Sequence, residues 1–67
     1  MNTNLLKGTI VSNGDSVKAL AEALNLSYQA TRLKILGELE FKQSEIAVIR
    51  ARYGLSSTDV INIFFAG

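Results

Sequence analysis

The feature that most constrains this chain is the stretch Ser16 to Gly37, SVKALAEALNLSYQATRLKILG, in which two short helical patterns stand only three residues apart. Val17, Leu20, Ala21 and Leu24 recur at i, i+3, i+4 and i+7, which sets them on one apolar stripe and turns Lys18 and Glu22 away from it. Ser16, or Asp15 before it, is placed to cap this helix by accepting a bond from an orphan N–H. Asn25 follows the stripe. Asn tolerates the left-handed conformation that ends many helices, so it can close the first one. Leu26 then supplies an apolar plug, and Ser27 is a good N-cap for a second helix from about Tyr28 to Leu36, stopped by Gly37. A helix, a turn too tight for a loop and a second helix form the pattern of a helix-turn-helix.

Around that pair the chain punctuates itself into further short elements. Met1 to Asn4 is polar and expected to fray, with Thr3 or Asn4 capping a helix that reads LLKGTIVSN and faces Leu6 and Ile10 inward. Gly8 within it costs about 1 kcal/mol relative to Ala, which a closely crossing helix would justify. The β-branched run Thr9, Ile10, Val11 leaves a strand over residues 5 to 11 as the alternative. Asn13-Gly14-Asp15 is a turn signal. In the connection GELEFK, residues 37–42, Phe41 is the expected core anchor. A helix over about Gln43 to Tyr53 then directs Ile46, Ile49 and Tyr53 to one face, leaving Glu45, Arg50 and Arg52 elsewhere, and Gly54 ends it. Ser56-Ser57-Thr58-Asp59 resembles a capping box, after which Val60, Ile61, Phe64 and Phe65 predict one broad apolar face. The fold class expected is all-α: a single domain over residues 1–67, a compact bundle of about five short helices.

A chain of 67 residues buries only about 60% of its unfolded surface, so its stability should be modest and dimerisation would help it. Its 48% hydrophobic and 19% charged residues suit a packed core and argue against disorder. There is no Cys and no His, which removes thiolate nucleophiles, Ser-His triads and nearly all zinc or haem ligation. The six acids show no paired spacing suited to general acid and base work, and no phosphate-cradling glycine motif occurs. Neither an enzyme nor a cofactor is expected. Apolar runs fall far short of a membrane span and no signal-peptide pattern opens the chain, so a cytoplasmic protein is expected. With a net charge of only +1, any affinity for nucleic acid must come from local placement of Lys and Arg.

The small residue Ala21, the turn Asn25-Leu26-Ser27 and the apolar residue Ile35 resemble the helix-turn-helix of Cro/CI-type phage repressors, the XRE-like family. With KILGELEFKQSEI after the turn and an aromatic C-terminal end, the wider pattern is similar to short prophage-encoded members and covers nearly the whole chain. Two residues depart from the family. Thr31 stands where a larger aliphatic residue is usual, and Lys42 where a capping Thr is common. The resemblance implies a lambda-repressor-like DNA-binding domain.

The face of the second helix is ambiguous by periodicity. One reading buries Ala30, Thr31, Lys34 and Ile35; the other buries Ala30, Leu33 and Leu36 and sends Ile35 outward. The family's orientation favours the first, with Ile35 near Ile10 and the Lys34 stem lying on apolar surface while its ammonium is lifted clear. Arg32 and Tyr28 point outward in both.

Carried over by that resemblance, Tyr28, Gln29, Arg32 and Leu33 match base-facing positions, where Gln suits adenine, Arg suits guanine and Leu a thymine methyl. Ser16, Lys18, Ser27 and Lys42, with the N–H groups of helix starts, suit phosphate oxygens. The expected partner is therefore double-stranded operator DNA, bound as a homodimer at half-sites about 34 Å apart, with Ile61, Phe64 and Phe65 as candidate dimer contacts. The rival is a protein-interaction module or antirepressor that meets another regulator through Leu33 and Leu36.

Overall fold

Asn2 starts the first helix: its side chain accepts from the Leu5 N–H at 3.0 Å, and helix α1 runs Thr3–Ser12. The expected cap at Thr3 or Asn4 is thus corrected, and so is the frayed start, because the Asn2 N–H donates to the Ile63 carbonyl at 2.6 Å and ties the two ends of the chain together. The computed structural model describes residues 1–66. The alternative strand over residues 5 to 11 does not form. Residues 5 to 11 lie inside α1, where Leu6 and Ile10, four residues and one turn apart, are buried together and Val11 is left in solvent. Gly8 faces open space, so no close helix crossing explains it.

Helix α2 spans Val17–Leu24 and buries Leu20, Ala21 and Leu24; Ser16 caps it by accepting from the Ala19 N–H at 3.1 Å. Asn25 closes it in the left-handed region at φ 56°. Helix α3, Tyr28–Ile35, begins at Ser27, whose hydroxyl oxygen accepts from the Ala30 N–H at 3.0 Å. It ends where Gly37 turns to φ 84°, a conformation that an L side chain rarely adopts. Helix α4 is Gln43–Tyr53. Helix α5 is a single turn, Ser57–Val60, started by reciprocal bonds between Ser56 and Asp59, and it passes without a break into a π-helical turn, Ile61–Phe65.

These elements enclose one core of Leu6, Ile10, Leu20, Leu24, Ile35, Ile49, Ile63 and Phe64, so every helix longer than one turn contributes to it. Phe41 reaches it from the connection, its ring edge-on to Phe64 with centroids 5.6 Å apart. The last element departs from the expected face. Ile63 and Phe64 are buried, Val60 is half-buried, and Ile61 and Phe65 are 54% and 60% exposed. Five of the six residues from Val60 to Phe65 are apolar, so hydrophobic period alone selects no stripe. The Ile63 bond to Asn2 and the Phe41 contact with Phe64 select it. No helix among the described residues is long and apolar enough to cross a membrane.

Candidate nucleic-acid interface

Helix α3 shows which of the two faces is inward. Thr31, Lys34 and Ile35 are buried and Ala30 is half-buried, while Tyr28, Gln29 and Arg32 are exposed. Leu33 is half-buried, and Leu36 sits at the rim as the C-terminal cap. The exposed side therefore offers a ring with a hydroxyl, a carboxamide and a guanidinium, and α3 contains no acid to offset the cation.

Two polar residues on the inner side would be costly without partners. Thr31 solves this locally, its hydroxyl donating to the Ser27 carbonyl at 3.0 Å, so this buried polar group is satisfied within its own helix. Lys34 solves it at long range. Its Nζ is not lifted clear, as expected from the sequence, but lies 2.6 Å from Glu45 Oε1 with both side chains about nine-tenths buried. Glu45 is accordingly an inward residue rather than one on the outer circumference of α4.

The same Glu45 oxygen accepts from the Lys42 N–H at 2.8 Å. The carboxylate thereby supplies one half of a capping box; the Lys42 side chain, a donor only, cannot supply the other, and the Glu45 N–H donates to the Lys42 carbonyl at 3.0 Å instead. Burial pushes the Glu45 carboxyl upward, but the bonds from Lys34 and the Lys42 N–H outweigh it and hold the group below its ordinary range. The back of α3, the end of the connection and the first turn of α4 are thus joined at one carboxylate.

A second polar brace lies at the opposite end of α4. Asp15 accepts from Arg52 Nε at 2.8 Å and Nη2 at 3.0 Å, and from the Tyr53 hydroxyl at 2.6 Å, which fixes the entry to α2 against α4. The Arg52 hydrogen bonds, with that of Tyr53, hold the Asp15 carboxyl well below the usual carboxylate range. Burial, reinforced by the bond to Asp15, pushes the Tyr53 phenol up. Asp15 is thus a brace between helices, and the cap of α2 is Ser16 alone.

Ser16, Lys18, Ser27 and Lys42 are all exposed. Ser16 and Ser27 use their oxygens as acceptors in capping, so their hydroxyl protons remain free to donate to an anion. Tyr28 and Arg32 come together on one side of α3, where they line a hollow shared with α1. Lys42 stands beside α3 through the Glu45 junction, whereas no hydrogen bond or ion pair joins Lys18 to the other candidates among the described residues. Sequence reasoning passed over Lys7, which lines the same hollow as Arg32; its position on α1, one residue after the buried Leu6, was the available signal. Comparison with protein-family models, curated proteins and solved structures gives no match to this chain.

Proposed function

We propose that the protein is a sequence-specific DNA-binding transcriptional regulator, a short Cro/CI-like repressor that reads an operator's major groove with α3. One observation carries the reading: α3 is pinned from behind by Ile35 and the Lys34–Glu45 pair while Tyr28, Gln29 and Arg32 stand free on its outer side. A helix presented in this way fits the major groove. Arg32 has the two-pronged donor geometry for guanine, Gln29 the paired donor and acceptor for adenine, and Leu33 is left with a partial role at a thymine methyl. Ser16, Lys18, Ser27 and Lys42 hold the flanking phosphates, setting register rather than sequence preference. Repression follows from occupancy, with no cofactor and no chemistry, in the cytoplasm. For a dimer on paired half-sites, Ile61 and Phe65 are the exposed apolar contacts, while Phe64 is committed to the core.

The second reading, a module that binds another regulator, is supported by Leu36 and the apolar hollow beside it. Anisotropy titration with DNA from the protein's own locus separates the two. On the DNA reading affinity falls steeply with salt, and Arg32→Ala costs about 1–3 kcal/mol with loss of preference at one base pair. Binding insensitive to both salt and Arg32, or no binding, would refute it.

A further inference from the structure

Between α1 and α3 lies a hollow of about 300 Å³ walled by Val11, Val17, Ile35 and Leu36, in which Lys7 and Arg32 are the only charged groups. Val11 is 75% exposed, so this apolar surface is left uncovered by the chain itself. Neither Lys7 nor Arg32 has an ion-pair or hydrogen-bond partner among the described residues.

Groups of complementary chemistry occur elsewhere on the same chain. Glu38-Leu39-Glu40 places a leucine that is 45% exposed between two carboxylates. The start of the segment is tied to α3, since the N–H groups of Glu38 and Leu39 both donate to the Leu33 carbonyl, at 3.0 and 3.3 Å. Its side chains are unspent. Asp15, Glu45 and Asp59 are engaged in internal hydrogen bonds, but Glu22, Glu38 and Glu40 have no such partner among the described residues, and of these only Glu38 and Glu40 flank an exposed leucine. Nor does the segment fill its own hollow, because Leu39 and Glu40 line a different one, beside Phe41 and Phe65.

We propose that the hollow between α1 and α3 receives Glu38-Leu39-Glu40 of a second copy of this chain, with Leu39 against the aliphatic wall and the two carboxylates meeting Lys7 and Arg32. The charges match two for two. Leu36, on the rim of the hollow, is only two residues from Glu38, so donor and acceptor surfaces adjoin, and a two-fold axis near Leu36 exchanges both segments reciprocally. A net charge of +1 sets little repulsion against the pairing. Exposed ion pairs contribute little each, so the association is weak and sensitive to salt. The partner covers Tyr28 and Arg32, and on the DNA reading above the self-associated form would be unable to engage duplex. That consequence rests on the proposed function; the pairing itself does not, and its test contains no DNA.

Sedimentation equilibrium up to millimolar protein at low salt tests it, with Glu38→Lys/Glu40→Lys and Lys7→Glu/Arg32→Glu double variants whose folding is checked by circular dichroism. The expected result is a dimer component that weakens with salt and at least about tenfold in each double variant, since each faces like charges. An equal mixture of the two variants, in which both contacts are again opposite in sign, regains association. A chain monomeric throughout, a dimer indifferent to both reversals, a mixture that stays monomeric, or a dimer abolished by Phe65→Ser but not by the reversals overturns the proposal.

Discussion

Lys34 Nζ lies 2.6 Å from Glu45 Oε1, and this contact ties the inner side of α3 to the first turn of α4. The pair is buried, so its two members depend on each other more than the fold depends on the pair. Removing one charge strands the other, whereas replacing both with apolar groups of similar volume strands neither.

Glu45→Ala is therefore expected to destabilise the protein by about 3–5 kcal/mol, enough to leave a chain of this size marginal. The double replacement Lys34→Met/Glu45→Leu should recover most of the loss, leaving a smaller deficit from the unanswered Lys42 N–H. Urea midpoints for the two variants measure this. A double variant no more stable than Glu45→Ala would show that the pair, and not the stranded lysine, carries the energy.

The acid side of the stability profile has a defined sign. The folded-state carboxyls of Asp15 and Glu45 are both held below their ordinary values of 3.8 and 4.5. Their contribution is whole above those ordinary values and is lost as pH falls through the lower folded ones. Tyr53 acts in the opposite direction, because its phenol is raised above the ordinary 10.0. It contributes fully below pH 10.0 and progressively less as pH rises beyond it. Thermal midpoints should thus hold level through neutral pH and fall at both ends, and Asp15→Asn should flatten the acid limb. An unchanged acid limb in that variant would remove Asp15 from the account.

Gly8 sits within α1 with no neighbour within 4 Å of the position a Cβ would take. Its backbone is helical, so Gly8→Ala fits without strain and restricts the unfolded chain. The expected gain is about 0.5–1 kcal/mol, read as a raised thermal midpoint. A loss would mean that α1 needs the glycine for a contact made outside this chain.

What the sequence made legible was local. Ser16, Ser27 and Asn25 act on backbone groups within four residues of themselves, and each took the role its chemistry suggests. The pairings that were not legible join distant positions. Lys34 and Glu45 are eleven residues apart, and Asp15 and Arg52 thirty-seven. Helical period assigns an ionised side chain to solvent, because that is where it is cheapest unless another element supplies a partner, and a one-dimensional pattern cannot show the partner. Of the candidate interface, Tyr28 and Arg32 were legible since they fall outward in either phase. The depth of Leu33 and the presence of Lys7 beside Arg32 depend on how α1 crosses α3.

The C-terminal turn gives the sharpest comparison, because two chemically identical side chains have opposite surroundings two residues apart. Ile63 is 2% exposed and Ile61 is 54% exposed, a difference set by the π-helical turn and by the bond from Asn2 to the Ile63 carbonyl. Ile63→Ala leaves a cavity among Leu6, Ile49 and the other core residues, and is expected to cost about 2–5 kcal/mol. Ile61→Ala removes mainly solvated surface and should stay within about 0.5 kcal/mol. Denaturation of the two variants side by side at low protein concentration decides the register. Equal losses would place both isoleucines inward and return Ile61 to the core face expected of it from the sequence. If Ile61→Ala becomes costly only as concentration rises, that residue lies in a contact between copies. The distinction bears on the proposed function, since a partner seated between α1 and α3 covers Tyr28 and Arg32, whereas one seated on Ile61 and Phe65 does not involve them.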